Sequence, residues 1–167
     1  MKKALLVIDM QNEMVGEKHA TYFQYDNEML IQSVNEVINT NENNLVIYIK
    51  HIMKKNLINK FLPYQVYEGT EQVEFVSKLR MVSDYIFTKY KSNAFTKPKL
   101  NEFLKEQNIE CVEVVGVDGG ACVALTALGA IKEGYRVIVN ESAIGTRLIL
   151  NKKMYFRKLK KAGAKFV

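Results

Sequence analysis

Val114-Val-Gly-Val-Asp118-Gly-Gly-Ala-Cys122-Val-Ala-Leu-Thr126-Ala is the stretch that decides the fold. An apolar, β-branched run ends at Val117, two glycines turn the chain, and helical spacing begins at a cysteine, which describes a buried strand emptying into a helix. A thiol at a helix start meets unpaired N–H groups and the positive end of the helix dipole. Both favour thiolate over thiol, and both can hold a developing oxyanion. Cys122 is therefore the candidate nucleophile. Cys111 alternates with Ile109 and Glu110 in a strand-like segment and reads as a small buried hydrophobe; two cysteines give no disulfide framework.

Outward from this stretch the same strand-then-helix alternation recurs along the chain. Strands are predicted at Ala4–Ile8, Leu45–Lys50, Tyr85–Thr88, Val112–Val117, Arg136–Val139 and Ala164–Val167. Helices are predicted at Asn27–Asn43, Glu71–Lys78, Pro98–Gln107, Cys122–Glu133 and Lys152–Ala162. Gly134 and Gly163 are helix stops, and Pro98 suits a first helical position. The expected fold class is α/β, a three-layer α/β/α arrangement with a six-stranded parallel sheet covered on both faces. Residues 52–69, with Phe61, Leu62, Pro63, Tyr64, Tyr67 and Gly69, fit no element; they either wrap over a site, meet a partner subunit or form a surface excursion.

The 167 residues, 48% hydrophobic, suit one domain over 1–167, with no linker dividing them. The apolar run after Met1-Lys-Lys is too short for a secretory segment, and no stretch reaches membrane-spanning length, so a cytoplasmic protein is expected. The net charge of +6 is concentrated between Arg147 and Lys165, where no Asp or Glu occurs. Its lysines and arginine fall on a helix whose apolar positions are Met154, Phe156 and Leu159, which makes a solvated face. No nucleic-acid motif accompanies them, so the expected partner is a small-molecule substrate rather than nucleic acid or membrane.

In an open parallel sheet, ligands bind beyond the carboxyl ends of the strands. There stand Asp9-Met-Gln11-Asn12, Lys50-His51, Lys89-Tyr-Lys-Ser-Asn-Ala-Phe95 and Asp118-Gly-Gly-Ala-Cys122. A free thiol ionises only near pH 8.5, so it needs a cation or a base. Lys89 can be the cation. Asp9 can take the thiol proton and return it to a leaving amine if burial raises its pKa. Thiol, carboxylate and ammonium in one cluster would titrate together.

Leu5-Leu-Val-Ile-Asp9-Met-Gln11-Asn12, Thr88-Lys89-Tyr-Lys-Ser-Asn-Ala-Phe95 and Val115-Gly-Val-Asp-Gly-Gly-Ala-Cys122-Val-Ala-Leu-Thr126-Ala together resemble the isochorismatase-like cysteine hydrolases. That superfamily includes nicotinamidases, N-carbamoyl amine amidohydrolases and isochorismatases. The resemblance implies a catalytic triad of Asp9, Lys89 and Cys122 and a sheet in the order 3-2-1-4-5-6. It also implies a cis peptide between Val117 and Asp118 that turns the N–H groups of Asp118 and Cys122 toward an oxyanion. The implied reaction is thiol-dependent hydrolysis of a small amide, ureide or carbamoyl compound through a thioester, without a cofactor, in a dimer or larger homo-oligomer. In that strand order Lys89 must reach across the end of strand two, a span of about 10 Å.

The chain also departs from the pattern. Nicotinamidases carry an Asp and a His, one residue apart, as metal ligands after strand two; here His51 and Met53 stand in those places, so no metal is expected and His51 reads as a loop histidine. Asp118 is acidic where small residues are commoner, and is either a turn residue or a substrate contact. Gln11, Met14 and Phe95 are further candidates for the substrate pocket, and Gly119 and Gly120 for easing the turn. Two other readings are a catalytically silent binding protein and a Rossmann-like nucleotide binder. The latter is disfavoured because the glycine spacing is not G-x-G-x-x-G.

Overall fold

The computed structural model describes residues 1–167. Six strands, β1 (Lys3–Ile8), β2 (Leu45–His51), β3 (Ile86–Lys89), β4 (Cys111–Val117), β5 (Arg136–Gly145) and β6 (Lys165–Phe166), pair in the order β3-β2-β1-β4-β5-β6. Every pairing is parallel. Five helices, α1 (Asn12–Val15), α2 (Asn27–Thr40), α3 (Pro98–Glu106), α4 (Cys122–Lys132) and α5 (Ile149–Lys161), complete the layers.

Alternate residues of β1 supply the two cores. Leu5 and Val7 pack with Leu30, Val34 and Ile38 of α2, whereas Ala4, Leu6 and Ile8 pack with Leu104 of α3, Ala127 of α4 and Leu159 of α5. A central strand covered on both faces must be apolar throughout, which is why Ala4 to Ile8 shows no polar alternation. Each aliphatic side chain buried in this way contributes roughly 1.5–3 kcal/mol. The start of α2 is fixed by Asp26, whose carboxylate accepts the Met29 N–H at 3.2 Å.

Three expectations need correction. Glu71–Lys78 is not a helix: only Glu71–Val73 forms a 3-10 turn. Beyond it Phe75 bridges Gln11 antiparallel, with Asn12 N–H donating to Glu74 and Val76 N–H to Met10. Those pairings to the chain leaving β1 win over a short helix with few internal bonds. Strand β5 runs on to Gly145, past an irregularity between Val114 and Gly116 of its partner, so it delivers Thr146 and Arg147 to the rim. On α5, Phe156 and Leu159 are buried but Met154 is 39% exposed, so the apolar stripe is narrower than its sequence suggested.

Gly116 decides how the centre of the sheet closes. It lies opposite Ile8 at φ +106°, and a Cβ there would stand 2.1 Å from the Ile8 carbonyl oxygen. Only glycine fits this close approach, which lies just before the rim. No helix is long and apolar enough to cross a membrane.

Candidate active site

Asp9 follows β1 at φ +54°, a left-handed conformation that is costly for a residue with a Cβ. Its N–H is held by the Ile49 carbonyl of β2, so the strand end is fixed while the chain turns away. Lys89, the last residue of β3, is 1% exposed, and its Nζ donates to Asp9 Oδ2 at 2.7 Å and to Cys122 Sγ at 3.2 Å. The lysine thus spans the end of β2, as the strand order requires. Asp9 Oδ1 is sealed from solvent and takes no N–H or O–H from the protein.

Cys122 opens α4, and the Val117–Asp118 peptide bond before it is cis. Neither the Asp118 N–H nor the Cys122 N–H has a protein acceptor. Neighbouring N–H groups are spoken for: Ala121 and Val123 donate to the Asp118 carbonyl, and Gly119 donates to Gly145. The two glycines are present for space rather than for backbone freedom, since neither has positive φ. A Cβ would stand 2.5 Å from Thr146 Oγ1 at Gly119 and 2.2 Å from the Leu148 carbonyl oxygen at Gly120.

Burial reverses the expected ionisation of the thiol. It pushes Cys122 up to about 12; the Lys89 ammonium pulls the other way and the Asp9 carboxylate adds to the rise. The helix start does not leave a resting thiolate. Burial also works against the Lys89 ammonium, but the Asp9 charge and the hydrogen bonds to Asp9 and Cys122 oppose it, and the pKa stands above the usual lysine value. The resting cluster is therefore a thiol beside a carboxylate–ammonium pair.

The remaining candidates have protein partners. Gln11 is fully buried: its Oε1 accepts the His51 N–H, and its Nε2 donates to the carbonyls of His51 and Val73. Asp118 Oδ1 accepts the Gly120 N–H, and Oδ2 accepts the Tyr25 hydroxyl and the Arg147 N–H. With both oxygens engaged, Asp118 is a turn residue that clamps three segments rather than an open substrate contact. Met14 is 4% exposed inside the first core, and Phe95 packs against the second core with its ring 5.9 Å from Tyr135.

Other residues at the site escaped sequence reasoning. His51 is not in a loop; it ends β2, pairs in register with Lys89, and its Nδ1 lies 3.4 Å from Lys89 Nζ. The register was the available signal, because partners in a parallel pair project to the same face. Tyr64 comes from the 52–69 segment, folded onto the rim through Met53 N–H to Val66 and Gln65 N–H to Glu13. Its hydroxyl is held above the usual tyrosine range, chiefly by burial. Tyr64 stacks on Tyr22 with centroids 5.6 Å apart and tilts against Phe23 at 5.1 Å. The Arg147 guanidinium lies 3.7 Å from the Tyr22 ring centre and donates to the Tyr22 hydroxyl, yet it makes no ion pair. Thr126, fully buried on α4, ties the loop after Lys89 in place by accepting the Ala94 N–H and donating to Ser92.

The donor set does not fit a divalent metal. His51 Nδ1 faces an ammonium, Met53 offers a thioether, and no group of three His, Cys, Asp or Glu side chains could hold an ion.

His51 also gives the protein a pH signature. Burial first, then the Lys89 charge, push it down to about 4 from 6.5, with Asp9 opposing. Between these values the unfolded chain binds a proton that the folded chain refuses. The stability His51 contributes is fully present above its unfolded pKa and is lost as pH falls toward the folded value. The difference is on the order of 3 kcal/mol. Urea unfolding between pH 7 and 4 should show this decline, and His51→Asn should flatten it.

A family model described as Isochorismatase domain matches residues 3–167. Over 99 residues the chain is 30% identical to an isochorismatase family protein, PncA, of Bacillus subtilis (strain 168). That match covers 59% of this chain and 48% of the relative, about half its length. An isochorismatase-like hydrolase from Alkaliphilus metalliredigens superposes with a TM-score of 0.86 at 26% identity, over 100% of this chain and 95% of that one. An N-carbamoylsarcosine amidase from Thermoplasma acidophilum gives a TM-score of 0.84 at 28% identity, over 99% and 95%.

Proposed function

Because the chain belongs to the isochorismatase family of hydrolases, whose model spans residues 3–167, we propose that it is a cysteine amidohydrolase acting on a small carbamoyl or amide compound that bears a carboxylate. The whole chain would act as one domain. The observation that carries the reading is the sealed Asp9 Oδ1: it is an acceptor without an N–H or O–H donor, in a cluster that holds a thiol and an ammonium.

Because burial holds the thiol well above its ordinary pKa, a free thiolate is disfavoured at pH 7 and deprotonation accompanies attack. Cys122 gives its proton to Asp9 as Sγ bonds to the carbonyl carbon. The C=O electron pair moves to oxygen, which takes hydrogen bonds from the N–H groups of Asp118 and Cys122. As the tetrahedral species collapses, the C–N bond breaks and Asp9 protonates the departing nitrogen. Water then attacks the S-acyl carbon and passes a proton to Asp9. When the C–S bond breaks, that proton returns to sulfur. Lys89 stays charged throughout and keeps one counter-ion beside whichever partner, sulfur or carboxylate, is anionic.

Arg147 and the tyrosines support the substrate class. A guanidinium without an acidic partner, steadied on the Tyr22 ring at a site mouth, is a fork for a carboxylate. The amidase among the structural relatives acts, by its name, on N-carbamoylsarcosine, an N-carbamoyl amino acid with such a carboxylate. The test is ammonia or amine release from paired substrates, each N-carbamoyl amino acid beside its carboxamide. We expect the carboxylate of each pair to be preferred. Arg147→Ala should reduce that preference about 10- to 100-fold, the range for losing a charge-assisted hydrogen bond. Equal rates on both members in the unmodified protein would remove the anionic substrate class.

A further inference from the structure

We infer that His51 is a working part of this site: neutral and protonated on Nε2, it serves as the third acceptor that orients the Lys89 ammonium, and it presents its Nε2–H to the substrate. The inference rests on the cysteine-hydrolase reading for the identity of the site, and on the geometry for the residue. An ammonium has three N–H donors and no acceptor. Around Lys89 Nζ stand three acceptors on three elements: Asp9 Oδ2 at 2.7 Å, Cys122 Sγ at 3.2 Å and His51 Nδ1 at 3.4 Å. Every proton of the ammonium therefore has a place to go, and the cation is held as a tripod in a site it enters from across the end of β2.

The imidazole can take part only in one state. An Nδ1 that faces an ammonium must carry the lone pair, which leaves the proton on Nε2. The charged groups facing the ring are Lys89 on β3 and Asp9 at the end of β1, with the Cys122 thiol of α4 beyond Lys89; the lysine is the nearer charge and opposes protonation. The backbone of His51 is gripped on both sides by one buried side chain, Gln11, at 2.7 Å through its N–H and at 2.9 Å through its carbonyl. Gln11 is thereby explained: it fixes the residue that fixes Lys89. His51 Nε2 has no protein partner and is not among the sealed unpartnered atoms, so its N–H is open to a ligand.

The test uses the intact protein, ¹⁵N-labelled at histidine, together with two variants. At pH 7 the imidazole spectrum of His51 should show an unprotonated Nδ1 and a protonated Nε2. Its titration midpoint should lie well below the ordinary histidine value, and Lys89→Met should move it back toward that value. In kinetics, His51→Leu removes acceptor and donor together and should lower kcat by about 10- to 100-fold, the scale of a misplaced catalytic group. His51→Asn places an oxygen near the Nδ1 position but has no ε donor, so kcat should largely recover while KM rises. A protonated Nδ1, a midpoint unmoved by Lys89→Met, or a His51→Leu enzyme with unchanged kcat and KM would each overturn the inference. Should His51→Leu fail to fold, the spectrum and the asparagine variant still decide. If no amide is turned over, the hydrolase reading falls, whereas the tautomer and its coupling to Lys89 are read without substrate.

Discussion

Cys122→Ala is expected to lower amide hydrolysis by about 10⁴-fold or more, with Tm close to that of the parent protein. The loss is expected to be large because, in the proposed reaction, sulfur forms the bond in the first half and is the leaving atom in the second. With Cys122 gone, Asp9 and Lys89 remain paired, yet the proposed covalent route is closed; what would survive is the proposed substrate binding at Arg147 and the hydrogen-bond donors of the turn. KM should therefore change far less than kcat. The parent protein should yield an S-acyl adduct on Cys122, trapped with a slowly hydrolysed substrate and seen by mass spectrometry. Iodoacetamide should reach Cys122 faster than Cys111, because Cys111 is 1% exposed at the start of β4 whereas Cys122 is only partly buried at the start of α4. Full activity in the alanine variant, or equal labelling of both cysteines, would sink the nucleophile assignment.

How much of this was legible in the chain differs by element. The central strands could be read because burial on both faces leaves little freedom: Ala4 to Ile8 is apolar throughout, Val112 to Val117 is apolar but for Glu113, whose buried carboxylate is paired with Lys3, and the two runs end where Asp9 and Asp118 begin. Lys89 could be placed because its strand is short and its end is charged. The segment from Glu71 could not, since its Val73, Phe75 and Val76 satisfy helical spacing locally, while the bonds that decide its shape come from Met10 to Asn12, some 60 residues earlier. His51 was missed for a related reason. Its meaning lies in the β2–β3 register, a long-range fact, and a lone histidine at a strand end has no local signature. Tyr22, Tyr64 and Arg147 come from three separate loops and meet only in the folded chain. The direction of the Cys122 shift was misread because a helix start can be assigned from sequence, whereas the depth at which it is buried cannot.

Asp9→Asn should be the most destabilising of the site substitutions as well as an inactive one. It replaces a carboxylate 1% exposed with a neutral amide and leaves the buried Lys89 ammonium facing an amide, a thiol and an imidazole, none of which carries a negative charge. Removing one partner of a buried ion pair costs about 3–5 kcal/mol, because the remaining charge stays desolvated without compensation. Against a typical stability of about 5–15 kcal/mol that is a large share, and at this chain length it corresponds to a fall in Tm of roughly 10 °C. Adding Lys89→Met should restore most of the loss, since an amide beside a thioether leaves no buried charge. Catalysis should not return in the double variant, which lacks both the proton carrier and the counter-ion. The cycle separates two roles that one substitution confounds: the stability change comes from the pair, the activity change from the base. A double variant as unstable as Asp9→Asn alone would show that the carboxylate holds the strained turn after β1 rather than neutralising Lys89. Measurable turnover in Asp9→Asn would remove it as the group that carries the proton.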